Sequence, residues 1–334
     1  MAVALKPLDE QVMVITGASS GIGLATARAA AKAGARVVLA ARNAEALTEI
    51  VAEIEAAGGQ ALAAPCDVGD AAQVDAVAQA ALDRFGRIDT WVNNAGVVIW
   101  GRTLDIPEAD ARRLFETNFW GVVHGSRAAV RAMRKRGGAL VNVGSIASDR
   151  AVGLQGMYSA SKHAVKGFTD ALRMEFVADE VPISVTLIKP ASIATPIVKQ
   201  SRNYLDREPT LPPPLYKPED VAAAILYAAA RPVRALIVGS AGLVLTWGSA
   251  LAPSLFERIG GRLIDAAQEK DEPARPRRDN LYEAGPEGGV QEVDDGHLAH
   301  PSVTLRAALH PAAASLLVAG GLGALLALTG RRRR

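Results

Sequence analysis

Through the first 190 residues, short apolar runs alternate with longer stretches in which alanine and leucine recur at helical spacing. The runs Val12–Thr16, Arg36–Ala41, Gln60–Pro65, Ile88–Val92, Ala139–Val143 and Ile183–Ile188 predict strands. Between them, Ser20–Ala33, Ala44–Ala57, Ala71–Phe85, Pro107–Lys135 and Met157–Ala178 predict helices. Strands that are apolar on both faces, separated by helices, need a parallel sheet covered on both sides. The fold class is therefore α/β, a doubly wound parallel sheet of about seven strands. A further helix over Glu219–Ala230 and a last strand over Ala235–Val238 complete it.

The texture changes after Ser192. Six prolines from Pro196 to Pro218 interrupt any period, which predicts a long loop of the kind that serves as a lid, about 192–218. The uncharged stretch Ala235–Phe256 reads as the last strand followed by an apolar flap, about 240–256. Gly239, Gly242, Gly248 and Pro253 argue against the competing reading, a membrane span. From about Glu269 to His300 the chain is charged and rich in Gly and Pro, so a disordered linker is expected over 269–311.

Ala312–Gly330 is 19 residues without a charge, followed by Arg331–Arg334. At ~1.5 Å per residue, a helix of that length just spans a ~30 Å hydrocarbon core. Membrane association through residues 312–334 is the expectation, against a surface helix or an Ala/Gly-rich tail. Basic residues prefer the cytoplasmic side, so a spanning helix with a cytosolic body would leave the arginines on the far side. Lying in the interface, with the arginines on anionic headgroups, avoids that conflict. Both arrangements remain open.

Composition narrows the function classes. With 334 residues, 49% of them hydrophobic and 22% charged, disorder throughout is excluded and a large core is possible. The net charge of +2 depends on the four terminal arginines; without them 33 cations face 35 anions. Such a body lacks the basic footprint of a nucleic-acid partner. A single cysteine, Cys66, rules out an internal disulfide and a thiolate-rich zinc site, and no metal is expected. The N-terminus MAVALKPLDEQ has no signal-like apolar region, which points to a cytoplasmic catalytic body.

The candidate chemistry begins at Thr16-Gly17-Ala18-Ser19-Ser20-Gly21-Ile22-Gly23, between the first strand and the first helix. Glycines there permit a tight turn and let the backbone approach a pyrophosphate seated on the helix N-terminus. A purely structural turn is the alternative. An NAD-binding protein usually places an acid at the end of the second strand to hold the ribose hydroxyls. Here the residues are Ala41 and Arg42, and a guanidinium pairs with a 2′-phosphate that a carboxylate would repel. NADP(H) is favoured over NAD(H), unless Arg42 is simply a solvated loop residue.

Tyr158-Ser159-Ala160-Ser161-Lys162 opens a long predicted helix, and the i, i+4 spacing puts Tyr158 and Lys162 on one face. A free phenol, with a pKa of about 10, is a poor base near neutrality. A nearby ammonium, helped by a cationic nicotinamide ring, is expected to lower that value, so that tyrosine exchanges a proton with a carbonyl or alcohol oxygen. Thirteen residues upstream, Ser145 follows a strand at the position where a carboxyl-end loop presents a hydroxyl to a ligand.

Together these motifs closely resemble the short-chain dehydrogenase/reductase family, over about residues 10–240. The matching residues are TGASSGIG at 16–23, Asp67, Asn93-Asn94-Ala95-Gly96, Asn118, Ser145, Tyr158 and Lys162. The resemblance implies a Rossmann-type catalytic domain over 1–268, with Tyr158 as acid/base and Ser145 bound to the substrate oxygen. Lys162 would hold the nicotinamide ribose and tune Tyr158, and Asn118 would support a water-linked proton relay. Asp67 would contact the adenine, and Asn94, beside Ala95 and Gly96, the neighbouring ribose or backbone. One departure stands out: the family usually has Pro-Gly after the sixth strand, where this chain has Pro190-Ala191-Ser192-Ile193-Ala194-Thr195. Thr195 keeps its place for a nicotinamide carboxamide, whereas Ala191 needs a negative φ far more than glycine would. Homo-oligomers through the two long helices are implied as well.

The leading reading is an NADP(H)-dependent carbonyl reductase, or the reverse alcohol dehydrogenase, acting on a fairly apolar small molecule. A membrane-tethered, non-catalytic NADP(H)-binding sensor or scaffold is the alternative; it would not need Ser145, Tyr158 and Lys162 together.

Overall fold

The computed structural model describes residues 3–251, 253–255, 257–258, 261–285, 289–291 and 299–309. In chain order, β1 is Val12–Thr16, α1 Gly21–Lys32, β2 Arg36–Ala41, α2 Ala44–Ala56, β3 Gln60–Pro65 and α3 Ala71–Phe85. Next come β4 Thr90–Asn93, β5 Ile99–Trp100, α4 Glu108–Phe115, α5 Gly121–Met133 and β6 Gly138–Val143. Then follow α6 Gly156–Ala178, β7 Ile183–Pro190, α7 Ile197–Gln200, β8 Arg202–Asn203 and β9 Arg207–Pro209. The described chain continues with α8 Pro218–Ala230, β10 Ala235–Val238, α9 Ser240–Leu251 and β11 Glu269–Pro273.

The central sheet has seven strands in the order β10-β7-β6-β4-β1-β2-β3, and every pairing in it is parallel. Alternation along the strands sorts side chains into two layers. Met13, Ile15, Val37 and Leu39 join one core with Leu24 and Ala27 of α1 and Val221 and Ile225 of α8. Val12, Val14, Val38 and Ala40 face the other, against Val74 and Val77 of α3 and Ala129 and Met133 of α5. The strands read as unbroken apolar runs because both faces are buried. Local signals place the helix ends: Asn43 and Asp70 accept backbone N–H bonds at the starts of α2 and α3. Gly86, at φ 74°, stops α3 in the left-handed conformation.

The chain runs β1-β2-β3 to one side, then returns to place β4 on the other side of β1. That reversal leaves a crevice beyond the carboxyl ends of β1 and β4, the point where open α/β sheets take their ligands.

Three features depart from the sequence pattern. The single helix expected over Pro107–Lys135 is interrupted by a π-helical turn, Glu116–Trp120, between α4 and α5. The proline-rich lid is not free of structure, since β8 pairs with β5 and β9 pairs antiparallel with β11. The expected disordered linker is corrected over its first part: Glu269–Pro273 is a strand, and the chain beyond it docks on the lid. Its polar residues, too few in apolar neighbours to suggest a core, are ordered by charge partners instead. Arg202 bonds Asp279 and Asp110, Arg277 bonds Glu208, and Tyr204 and Tyr282 both donate to Asp110. Val303–Leu309 forms a further short helix whose Leu305 is buried in the first core. Among the described residues no helix is long and apolar enough to cross a membrane, and Ala312–Arg334 lies outside them.

Asp110 ties α4, the lid and the C-terminal segment together. Burial pushes its carboxyl up, but bonds from Tyr204, Arg202 and Tyr282 more than offset this and hold it below the ordinary value. Asp110→Ala should lower the unfolding free energy by on the order of 2 kcal/mol at pH 7, read from urea denaturation. It should also speed tryptic cleavage at Arg277 and Arg278. A depressed carboxyl stabilises above its unfolded value, so wild type and variant should converge as the pH falls through the folded value.

Candidate active site

The glycine turn is built by close approach. Gly17 and Gly21 take φ of +66° and +52°, the left-handed region that glycine enters without penalty. A Cβ on Gly23 would lie 2.0 Å from the Gly17 oxygen, and one on Gly17 would lie 2.8 Å from the Ala95 Cα. Below the turn, Thr16 Oγ1 donates to Val92 O (3.2 Å) and accepts from the amides of Asn94 (3.0 Å) and Ala95 (3.1 Å). Asn94 Nδ2 donates to Thr16 O at 2.9 Å and to Gly17 O at 3.3 Å. Asn94 thus fastens the turn to the end of β4.

Gly17, Ser19, Ser20, Gly21 and Ile22 line one long cavity, while Thr16 and Gly23 shape it from beneath. Ser20 is the N-cap of α1 and makes no side-chain capping bond. At this helix N-terminus the Gly21 amide donates to the Gly289 carbonyl at 3.2 Å, and the glycine cradle fits a dinucleotide pyrophosphate.

At one end of the cavity lie Arg42 and Asp67. Arg42 is not a solvated loop residue: Nη2 donates to Asn280 O at 2.5 Å and Nη1 to Leu281 O at 3.4 Å. Burial lowers its pKa, Asp67 acts to raise it and Arg113 to lower it. Asp67 accepts from the Gly69 amide (3.0 Å) and pairs with the Arg113 guanidinium. Neighbouring Cys66 is buried, and burial with the charges of Asp67 and Asp70 pushes its thiol up to about 12, which removes it as a nucleophile.

At the other end, Ser145, Tyr158 and Lys162 share the wall with Pro190, Ile193 and Thr195. Ser145 caps a short turn, accepting from the Ala147 amide at 3.1 Å, while Ser148 Oγ holds the Ser145 amide at 3.1 Å. Lys162 is buried; its Nζ donates to Val143 O at 2.9 Å and stands 5.7 Å from the centre of the Tyr158 ring. Burial brings its pKa down to about 8. The expectation that this ammonium lowers the Tyr158 pKa needs correction here: burial raises the phenol, and its bond with Ser145 pulls it only part of the way back. Desolvation disfavours the phenolate more than the Ser145 hydroxyl favours it.

Asn118 does not line the cavity. It sits fully buried in the π-helical turn, where Oδ1 accepts from the Val97 amide (2.8 Å) and Nδ2 donates to Val97 O (2.9 Å) and Ser161 Oγ (3.1 Å). The wide π turn aims it there, and each polar atom of its amide is engaged in holding the backbone beside Gly96. A Cβ on Gly96 would come within 3.4 Å of Asn118 Oδ1 and 3.7 Å of Lys162 Nζ.

Ala191 causes no distortion. Among the described non-glycine residues positive φ occurs at Leu154 and Glu180, and the Ala191 amide extends the ladder to Val238 O at 2.8 Å. Thr195 packs against Gly21, its Cβ 3.2 Å from where a Gly21 Cβ would stand.

Sequence reasoning missed several lining residues. Gln155 and Gln200 carry no motif, and Asn280, Ala284 and Gly285 come from the supposed linker. The apolar pair Leu281-Tyr282 inside an otherwise polar stretch was the available signal.

Comparison with known proteins agrees with this geometry. The family model described as short chain dehydrogenase matches residues 11–206. An uncharacterized oxidoreductase of Bacillus subtilis, YxnA, is 43% identical over 320 residues, 95% of this chain and 90% of that protein. A short chain dehydrogenase/reductase from Burkholderia phymatum, solved with NAD, is 28% identical with a TM-score of 0.65 and covers 81% of this chain and 100% of its own. An actinorhodin polyketide ketoreductase, solved with NADPH, is 31% identical with a TM-score of 0.60, over 69% of this chain and 96% of its own. On its glycine turn, its doubly wound sheet and these matches, the chain belongs to the short-chain dehydrogenase/reductase family of oxidoreductases.

Proposed function

We propose that this protein is an NADP(H)-dependent carbonyl reductase, or in reverse an alcohol dehydrogenase, for a fairly apolar substrate. The reading rests on Ser145, Tyr158 and Lys162 lining the same cavity as the glycine turn. The family supplies the class, hydride exchange between a nicotinamide and a carbonyl or alcohol carbon.

A bound nicotinamide dinucleotide supplies the hydride. Gly17, Ser19, Ser20, Gly21 and Ile22 would hold its pyrophosphate, and Pro190, Ile193 and Thr195 would border its nicotinamide end. Ser145 Oγ donates to the substrate carbonyl oxygen and polarises it. The raised pKa keeps the Tyr158 phenol protonated at neutral pH, so it can give that proton to the oxygen as negative charge develops there. The resulting phenolate is stabilised by the Ser145 hydroxyl and the Lys162 ammonium until it takes a proton back. Lys162, hydrogen-bonded to Val143 O, is placed to hold the adjacent ribose, and Asn118 positions this wall through Val97 and Ser161. Ile146, Val152, Ile197, Leu211 and Pro212 line the open side, which supports an apolar substrate. Relatives with other substrates use the same fold, so the side pocket, not the sheet, sets the choice.

NADP(H) is assigned on Arg42, which stands beyond β2 where an acid would select NAD(H). A 2′-phosphate there would pair with the guanidinium through a charge-assisted bond.

Tyr158→Phe should leave dinucleotide affinity unchanged while ketone turnover falls on the order of 1,000-fold, measured by NADPH oxidation with a panel of apolar ketones. In the wild type, kcat/KM for reduction should fall as the pH rises through about 8, where Lys162 loses its charge. Flat activity through that range would reject the ammonium's role. Ala41→Asp should weaken NADPH binding by about 10-fold relative to NADH, read by fluorescence titration; equal weakening of both would reject the 2′-phosphate assignment.

A further inference from the structure

Beyond β11 the chain returns to the cavity, which Asn280, Ala284 and Gly285 line. The Asn280 amide donates to Gln200 O (2.8 Å) at the end of α7, and Asp279 is held by Arg202 Nε (2.9 Å). Leu281 is fully buried, packed with Val97, Ile99, Ile106 and Leu114 in a small core of its own. Its carbonyl accepts from Arg113 Nε at 3.0 Å, and the Asn280 carbonyl accepts from Arg42 Nη2 at 2.5 Å. Arg113 in turn bonds Asp67, so the segment is locked to both residues that mark the adenosine end. Farther along, the Gly289 carbonyl accepts from the Gly21 amide at 3.2 Å.

Such anchoring is more than a polar segment needs in order to rest on a surface. An apolar peg and two arginine-backed carbonyls fix its backbone, while Asn280, Ala284 and Gly285 face the cavity that Arg42 and Asp67 also line. Asn280 Oδ1 is buried and has no hydrogen-bond partner among the described residues. Buried amide oxygens are ordinarily satisfied, and an orphan one on a ligand cavity points to a donor that arrives with the ligand.

We propose that Asp279–Gly285 is a wall of the dinucleotide pocket, pegged by Leu281, with the Asn280 side-chain amide accepting a hydrogen bond from the adenosine half of the cofactor. The proposal rests on the reading that this cleft holds a nicotinamide dinucleotide with its adenosine at Arg42 and Asp67. The donor is a ribose hydroxyl or the adenine amino group; both carry the hydrogen that Oδ1 lacks. The wall comes from outside the region that the family model matches, residues 11–206. Its consequence is kinetic. Contacts that hold the bound cofactor act on release more than on capture.

The test uses the full chain and two variants, Leu281→Ala and Asn280→Ala, with NADPH and NADH as probes. Stopped-flow fluorescence follows association, and displacement by excess oxidised cofactor follows release. Leu281→Ala should speed release by roughly 10-fold and change association little, as expected when a closed contact is loosened. Asn280→Ala, which keeps the peg and the backbone bonds, should weaken affinity by about 5-fold, the loss of one hydrogen bond. Its thermal midpoint should match the wild type, which separates the contact from a folding defect. Unchanged release and affinity in both variants would overturn the wall, as would faster association with unaltered release, the mark of an obstruction. A wild-type chain that bound neither probe would instead overturn the dinucleotide reading itself.

Discussion

The approach of Gly23 to the Gly17 carbonyl is the constraint on which the site depends. With 2.0 Å between that oxygen and any Cβ at Gly23, the first turn of α1 can lie against the end of β1 only if residue 23 has no side chain. Everything above the sheet follows from that contact. Thr16 and Asn94 brace the turn from β4, Thr195 packs on it from the far side, and the N-terminus of α1 points into the crevice where strand order reverses. The helix dipole makes that spot favourable for an anion whatever the substrate.

The reactive end is governed by desolvation. Lys162 is buried and donates to the Val143 carbonyl, and Tyr158 lines the same cavity. Burial disfavours each group's charged form, so the pair carries an ammonium that yields its proton unusually early and a phenol that yields its own late. That arrangement suits proton donation to a carbonyl oxygen. The attraction between an ammonium and a phenolate grows as water is excluded.

The lid and the C-terminal segment obey different physics from the core. The sheet is held by apolar layers, whereas these loops are joined through Asp110, Arg202, Tyr204, Asp279 and Tyr282, with Leu281 as the apolar peg. Charge-assisted bonds of this kind are directional, so they set a geometry more than they add stability. A segment with too little apolar surface to fold by itself can still be ordered when a preformed surface supplies its partners.

The sequence by itself determined the sheet, its two covering layers, the glycine turn and the helix that pairs Tyr158 with Lys162. Each of these rests on local periodicity or on a steric requirement of one residue type, such as the runs at Val12–Thr16 and Arg36–Ala41 or the glycine at 23. Tertiary structure alone decided what surrounds them. It turned Asn118 onto Val97 through a π turn, raised the Tyr158 phenol by burial and used Arg42 to hold the backbone of residues 280 and 281. It also brought a polar stretch more than 200 residues away onto the cofactor cleft. Burial and long-range hydrogen bonds depend on which surfaces meet after folding, and no pattern along the chain encodes that meeting.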